Sequence, residues 1–519
     1  MIKVQTAARR RLYAFVFSGL ALFAGVALPG AVRAQSQEHI NVATNAEPDT
    51  LDMLTSVFPP ISYVILRNVS EMLWDYNIDG TVRRTVADWQ VSPDGKAITF
   101  HIRPGIRFHS GDELVADDVL FSFNRMMTNT PSFKRHGRLV AKIEVLDRYS
   151  VRFLFRQPDV TFFEGGQIFL GSKAYHDRVG EKQFMTHPSG IGPYKITAYN
   201  PGQSIDVAAF DGYYGPKPKV KSARFFIVKD DDTRVAKLKA GEADIITNTP
   251  YPEVAELEKA DYHVVRFPAN PSVSIVFDLL TPQSPWHNLK VRQAIAHAID
   301  TNAIIKGLFH GVPYRYPMLA PGEAGYDPGL QNYSYDPALA KKLLAEAGYP
   351  NGFKLPIYYS ATSFYGFQQA AEAVSLYLNA IGIQCELHNQ EAVLGLQMAR
   401  RAQTDHTIEL VSVGALPIAN TGLTSLDMLT IAFRSSAPSV VSHFDQVDTG
   451  IEKALSELDP AKRATLIKGV VDFLYDQVAV VKLWDSVSVY AMKKGIDYTP
   501  IAHRMPFMLL KNVTIAAKS

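Results

Sequence analysis

Two spacings of apolar residues organise this chain, and the stretch Ser222–Asn248 carries both. Ala223–Val228 is a short, mostly apolar run, as expected of a strand covered on both faces. Asp230, Asp231 and Asp232 follow it. A side-chain oxygen there can cap free amides, and negative charge meets the positive end of a helix dipole. Val235 and Leu238 then lie three apart on one helix face, and Gly241 stands where a left-handed residue ends a helix. Ala243–Thr247 resumes as a strand. A strand–helix–strand of this length builds parallel strands, and ligands collect outside their carboxyl ends, near Lys229, Thr247 and Asn248. The same pattern recurs at Phe353–Leu387. There a strand, a loop with Phe364 and Tyr365, a helix with Phe367, Ala371, Val374, Leu378 and Ile381 on one face, a stop at Gly382 and a second strand follow in order.

Between and around these units the texture changes. Ile40–Thr44 reads as an opening strand, and Ile61–Trp74 has helical spacing in Ile61, Ile65, Val69 and Met72–Leu73. Thr85–Phe108 reads as a hairpin, turning at Pro93-Asp94-Gly95, with Ile98, Phe100 and Ile102 alternating with polar neighbours. Asp117-Asp118 opens a helix with Val119, Phe123, Met126 and Met127 on one face, and a strand pair is expected within Lys142–Phe155. The segment from about 75 to 195 thus looks like an antiparallel insertion. Val264–Leu280 is an extended, proline-broken crossing. Leu289–Asp300 and Ala338–Ala347 are amphipathic helices, the second stopped by Gly348 and Pro350. Ile451–Tyr475 reads as helical. Val478–Met492 reads as a return crossing, with Trp484 and Asp485 at its hinge.

The first 34 residues differ from everything after them. Lys3 and Arg9–Arg11 form a basic start, Leu12–Leu28 is apolar, and Val32-Arg33-Ala34 offers small residues where a signal peptidase cuts. Cleavage after Ala34 leaves about 485 residues. No cysteine stands near that point, so a lipid anchor is not expected. Without this segment the formal charge of +2 becomes 48 basic against 51 acidic side chains, which leaves no electrostatic footprint for nucleic acid. The single cysteine, Cys385, can form neither an intramolecular disulfide nor a thiolate zinc cluster.

Catalytic patterns are missing. The sequence holds no His-Glu-x-x-His, no Gly-x-Ser-x-Gly and no Gly-x-x-x-x-Gly-Lys. Gly190-x-Gly192 reads as a turn, because Pro193 removes an amide that a phosphate cradle would use. His101 and His109 lack metal-ligand spacing, and Asp230–Asp232 reads as a cap. No cofactor is expected. An exported chain with two parallel units and no catalytic motif points to capture of a solute.

Five blocks carry a family resemblance, in order: the hairpin region VADWQVSPDGKAITFHIRPGIRFHSGDELVADDVLFSF; IGPYKI followed by FDGYYGPKPKVKSARFFIVKDDDTRVAKLKAGEADI; LKVRQAIAHAID; YDPALAKKLLAEAGYPNGF; and LYLNAIGIQCEL. The chain resembles the extracytoplasmic solute-binding proteins of the peptide/nickel class of ABC importers. The resemblance implies an α/β, two-lobed periplasmic-binding-protein fold (type II, cluster C) with an extra subdomain in the first lobe. It divides the chain into a signal peptide at 1–34, lobe I at 35–268 with the subdomain at about 75–195, lobe II at 269–485, and a return to lobe I at 486–519. It implies a monomeric periplasmic protein that closes over a small molecule or short peptide and hands it to a permease heterodimer with ATPase subunits. One stretch departs from the family's pattern. Where peptide-binding members carry Trp-Gly followed by acids, this chain has Val413-Gly414, then Leu416, Pro417, Ile418 and Asn420, with the next acid at Asp427. A buried ammonium needs a carboxylate partner, so an opine, a sugar conjugate or a chelated metal stands beside a peptide as the expected ligand. The expected ligand contacts are Thr247 and Asn248 in lobe I, Phe364, Tyr365, Leu416 and Asn420 in lobe II, and Trp484 and Asp485 near the crossing. Asp485 is the expected partner for a ligand cation.

Overall fold

Strand β1, His39–Thr44, pairs in parallel with two strands at once, and this arrangement sets the architecture of its half of the molecule. The computed structural model describes residues 38–45, 47–56, 59–79, 81–130, 133–134, 137–165, 167–360, 367–390, 411–415, 424–437, 442–501 and 507–516. The expected signal segment lies outside them.

Helix α1, Pro59–Leu66, is shorter than the periodicity through Trp74 suggests. The Asn68 side chain ends it. Its Nδ2 donates to Ile65 O at 3.0 Å and Met508 O at 2.8 Å, and its Oδ1 accepts from Leu510 N at 2.7 Å. Those bonds tie residues 65–68 to the far end of the chain. Val69, Met72, Leu73 and Trp74 are buried all the same, without a helix.

The hairpin is present as β2, Ala87–Val91, and β3, Ala97–Ile102. Ile98, Phe100 and Ile102 are buried on alternate positions, as the pleat requires. Helix α2, Ala116–Asn129, follows; Asp118 Oδ2 accepts from Val115 N at 2.9 Å, so the acidic pair does open it. Strands β4, Val140–Asp147, and β5, Ser150–Phe155, complete an antiparallel sheet of order β2-β3-β5-β4. Its aromatic core runs from Trp74 over Phe100 to Phe153, with ring centroids 5.9 and 5.4 Å apart.

The chain returns through Gly190 and Gly192. A Cβ on either would fall 2.2 Å from Val69 O or 2.5 Å from Asn68 O, so both glycines let two backbones touch. Strands β6, Tyr194–Asn200, and β7, Ser204–Ala209, lead to the unit read from the sequence: β8, Ser222–Ile227, α3, Asp231–Lys239, and β9, Ile245–Ile246. Asp230 caps α3, its Oδ1 accepting from Thr233 N at 2.8 Å. β8 and β9 are parallel, as expected, but β1 lies between them.

The first crossing is β10, His263–Phe277. Helices α4, Leu289–Ala298, α5, Thr301–Leu308, and α6, Pro337–Glu346, follow. The second unit is β11, Lys354–Tyr359, α7, Phe367–Ala380, and β12, Gln384–Asn389, with β11 and β12 directly paired in parallel. After β13, Val411–Ala415, come α8, Ser425–Ala432, α9, Asp445–Ser456, and α10, Pro460–Asp476. The helical stretch Ile451–Tyr475 is therefore two helices. Pro460 takes the first position of α10, and Asp459 caps it by accepting from Ala461 N and Lys462 N. The return crossing is β14, Val480–Met492.

All ten principal strands form one sheet, in the order β12-β11-β13-β10-β14-β9-β1-β8-β7-β6. β10 and β14 run antiparallel through its centre, and their register breaks between Pro268 and Ser272. On one side of the break lies a core built from Val42, Phe225, Tyr490 and the aromatic insertion. On the other, Val273, Phe277, Ile295, Val374 and Trp484 form a second core, with a third around Leu429, Val447, Ile467 and Leu474. Among the described residues no helix is long and apolar enough to cross a membrane.

Candidate functional site

The carboxyl ends of β8 and β9 are held together by one residue, Arg234, that no local sequence pattern marks. Arg234, on α3, is 1% exposed. Its Nη1 donates to Val228 O at 3.0 Å and Lys229 O at 3.1 Å, and its Nη2 donates to Asn248 O at 2.8 Å and to Asp231. A planar guanidinium can gather several carbonyls at once, so α3 clips both strand ends in place. A lone arginine between Val235 and the aspartates gave no periodic signal of this role.

Thr247 and Asn248 stand at this end, as expected from the parallel unit. Thr247 is buried and its Oγ1 has no hydrogen-bond partner among the described residues; the Oγ1 of Thr44, at the end of neighbouring β1, is in the same condition. Asn248 is exposed, has φ +50°, and donates from Nδ2 to Asn45 Oδ1 at 2.7 Å. Asparagine tolerates this left-handed conformation better than most residues.

A second candidate contact, Asp485, lies at the register break. Asp485 faces Ser272 across it, and Ser272 Oγ donates to Asp485 Oδ1 at 2.8 Å. Lys482, 8% exposed, reaches the same Oδ1 at 2.7 Å and also donates to Met318 O at 2.6 Å. The backbone of Tyr314 bridges that of Asp485. Asp485 Oδ2 is buried and finds no hydrogen-bond partner among the described residues. Burial raises the Glu323 carboxyl above the usual carboxylate range, although Lys482 lies nearby and Ala320 N donates to Glu323 Oε2. Asp485 therefore carries one saturated and one open oxygen, with Lys482 offsetting its charge. The structure turns Trp484 the other way: it is 3% exposed, in the second core, its ring 4.8 Å from that of Phe309. Adjacent residues on a strand face opposite sides, so Trp484 and Asp485 cannot share a face unless the strand bulges between them.

Phe364, Tyr365, Leu416 and Asn420 lie outside the described residues. The acid beyond them, Asp427, is engaged at the start of α8, where it accepts from Thr424 N and Thr424 Oγ1.

His101 and His109 have structural partners. His109 Nε2 donates to Gly192 O at 2.9 Å, and burial lowers its pKa to about 4. His101 shares a hydrogen bond with Ser150 Oγ at 3.2 Å. Among the described residues no group of three or more His, Cys, Asp or Glu gathers to hold a metal ion. Burial pushes the Cys385 thiol up to about 11, which suits a packing role in β12 rather than a nucleophile.

Residues 82–436, more than half of the chain, match the family model described as bacterial extracellular solute-binding proteins, family 5 Middle. The chain belongs to that family. It is 31% identical to the dipeptide-binding protein of Escherichia coli (strain K12) over 299 residues, 52% of this chain and 55% of that protein. The chain thus spans about half the length of that relative. It is 26% identical to the glutathione-binding protein GsiB of Shigella dysenteriae serotype 1 (strain Sd197) over 84% of this chain and 87% of that one. The solved structure of the PBP AgaA in complex with agropinic acid, from A. tumefacien R10, superposes with a TM-score of 0.72 at 26% identity, covering 93% of this chain and 99% of that one. The fold is the α/β two-lobed fold of these binding proteins.

Proposed function

We propose that this protein captures a peptide or peptide-like solute outside the cytoplasmic membrane and delivers it to the permease heterodimer of an ABC importer. Family membership supports the class. The structural observation that carries the mechanism is the pair of crossing strands, β10 and β14, which break register between separately packed cores. Two strands meeting at an irregular point can bend there, and a solute touching both sides then favours the closed form. On this reading lobe I is 35–268, lobe II is 269–485, and 486–519 returns to lobe I. The mature monomer begins after Ala34 and is periplasmic, without a lipid anchor.

Asn248 and Thr247 supply the lobe I contacts, and Asp485 the contact at the crossing, where the open Oδ2 suits a ligand N–H or ammonium. Phe364, Tyr365, Leu416 and Asn420 supply the lobe II contacts. The buried ring of Trp484 gives it a supporting part, holding the strand behind Asp485. A second reading gives the same role with an opine, a sugar conjugate or a chelated metal as solute. The absence of an acid between Val413 and Asn420 favours it, since no carboxylate there meets a peptide's amino terminus. No catalytic constellation supports an enzyme.

A melting-temperature panel tests the proposal. Dipeptides, glutathione, agropinic acid and a nickel–histidine chelate are each added to the mature protein. Binding to the folded form raises the melting temperature with ligand concentration. Stabilisation by one chemical class, without its chemical conversion, is the expected result. A flat response to the whole panel, or turnover of a bound compound, contradicts it.

A further inference from the structure

Leu458 sits on the corner between α9 and α10, and a leucine that is 47% exposed there calls for an explanation. The corner is firmly built. Asp459 caps α10, Pro460 fixes its first turn, and Arg463 Nη1 donates to Glu457 O at 2.9 Å. The Leu458 side chain leans away from this frame, toward the tip of the β2–β3 hairpin. A Cβ placed on Gly95 would lie 2.9 Å from Leu458 Cδ2 and 3.2 Å from Pro158 Cβ. Gly95 has φ +67°, in a turn where Gly95 N donates to Ser92 O at 2.9 Å. Leucine and proline thus both border the small space that a side chain at Gly95 would fill.

The loop that carries Pro158 makes a second contact of the same kind. Phe155 and Phe162, on either side of it, belong to the core of the inserted sheet. Val160, between them, packs instead against the third core, that of Leu429, Val447, Ile467 and Leu474. One short loop thus keeps its flanks in one core and its middle residue in another. Leu458 and the third core lie in the lobe II range, and Gly95, Pro158 and Val160 in the inserted subdomain of lobe I. The strands that join the two ranges, β10 and β14, run elsewhere, through the centre of the main sheet. The contact is apolar and involves none of the proposed ligand contacts.

We propose that Leu458, Gly95, Pro158 and Val160 form an apolar latch that holds the inserted subdomain against lobe II and favours the closed form whether or not a solute is bound. The latch rests on the two-lobed closing motion proposed above and adds to it a term independent of the ligand. Such a term shifts the open–closed ratio, and the apparent affinity for every solute changes by the same factor. Removing the half-buried apolar contact of one Leu or Val side chain lowers the closed-to-open ratio about three- to tenfold.

Distances between spin labels at Lys182→Cys and Lys341→Cys, in a Cys385→Ala background of the ligand-free mature protein, test this. Both label sites are exposed, one in each lobe range. Pulsed electron resonance resolves the short-distance, closed population. Leu458→Asp and the milder Leu458→Ser deplete it, Val160→Asp depletes it as well, and Leu458→Ser leaves the melting temperature within a few degrees of the background. Two populations whose ratio moves with neither Leu458→Ser nor Val160→Asp refute the latch while leaving closure intact. One narrow distance, identical in the background and all variants and unchanged by any compound that raises the melting temperature, refutes closure itself and the latch with it.

Discussion

Arg234→Met removes one guanidinium from three backbone acceptors and a carboxylate while keeping much of the side chain's apolar length. Val228 O, Lys229 O and Asn248 O all lose a donor whose own side chain is 1% exposed. Each hydrogen bond to a charged donor has a net value of about 1.5–3 kcal/mol, but three made by one group do not add in full. The expected loss is about 2–3 kcal/mol, because Lys229, Asn248 and the Asp231 carboxylate are exposed enough for water to take over part of the bonding. Arg234→Lys keeps the charge and one or two of the bonds but not the fork, so its loss is about half as large. Urea unfolding followed by tryptophan fluorescence and by circular dichroism gives the two midpoints. The strand ends at Lys229 and Asn248 should also loosen, and solute affinity should fall further for the methionine variant than for the lysine variant. A methionine variant within about 1 kcal/mol of the native protein refutes the clip, because a buried fork that three carbonyls depend on cannot be so cheaply lost.

Three further outcomes follow from the same structure. Asp485→Ala strips the buried Lys482 of its counter-ion and costs about 3–5 kcal/mol, whereas Asp485→Asn keeps an acceptor for Ser272 and costs less; both weaken binding of a cationic solute, measured by titration calorimetry. Gly192→Ala drives a methyl group onto Asn68 O and Val69 O and lowers stability by about 2–3 kcal/mol in thermal unfolding, with no change in phosphate binding. His109 and Asp118 set opposite slopes of stability against pH. His109 has a folded pKa of about 4 against an ordinary 6.5, so its contribution is present above 6.5 and is lost as pH falls from there toward 4. Asp118, raised by burial to about 6 from 3.8, contributes below 3.8 and loses that contribution as pH rises toward 6. Asp118→Asn therefore makes stability fall more steeply between pH 6 and 4, by about 2 kcal/mol across the window.

Local rules made much of the fold legible. The aspartates before α3, the alternation in β3, the glycine after α6 and the proline-broken crossing each act through neighbours in sequence. What stayed hidden depends on distant partners. Nothing near Ile61–Trp74 announces that Asn68 will bond to Met508 and Leu510 and end the helix at Leu66. Nothing in Ser222–Asn248 shows that β1 will enter between its two strands. The candidate site divides in the same way. Thr247 and Asn248 follow from a topological rule about strand ends. Arg234, Lys482 and Ser272 do not, because each is defined by the oxygen atoms it reaches across the fold. Both Trp484 and Asp485 are expected near the crossing; the strand turns Trp484 into the core and leaves Asp485 at the break.

Native mass spectrometry of the protein purified from its own host tests the central claim, capture of a solute, most directly. The account predicts a one-to-one complex with a compound of small mass, intact and unmodified, that is lost when the protein unfolds. A preparation that carries no such compound and turns over the solutes offered to it would contradict the account.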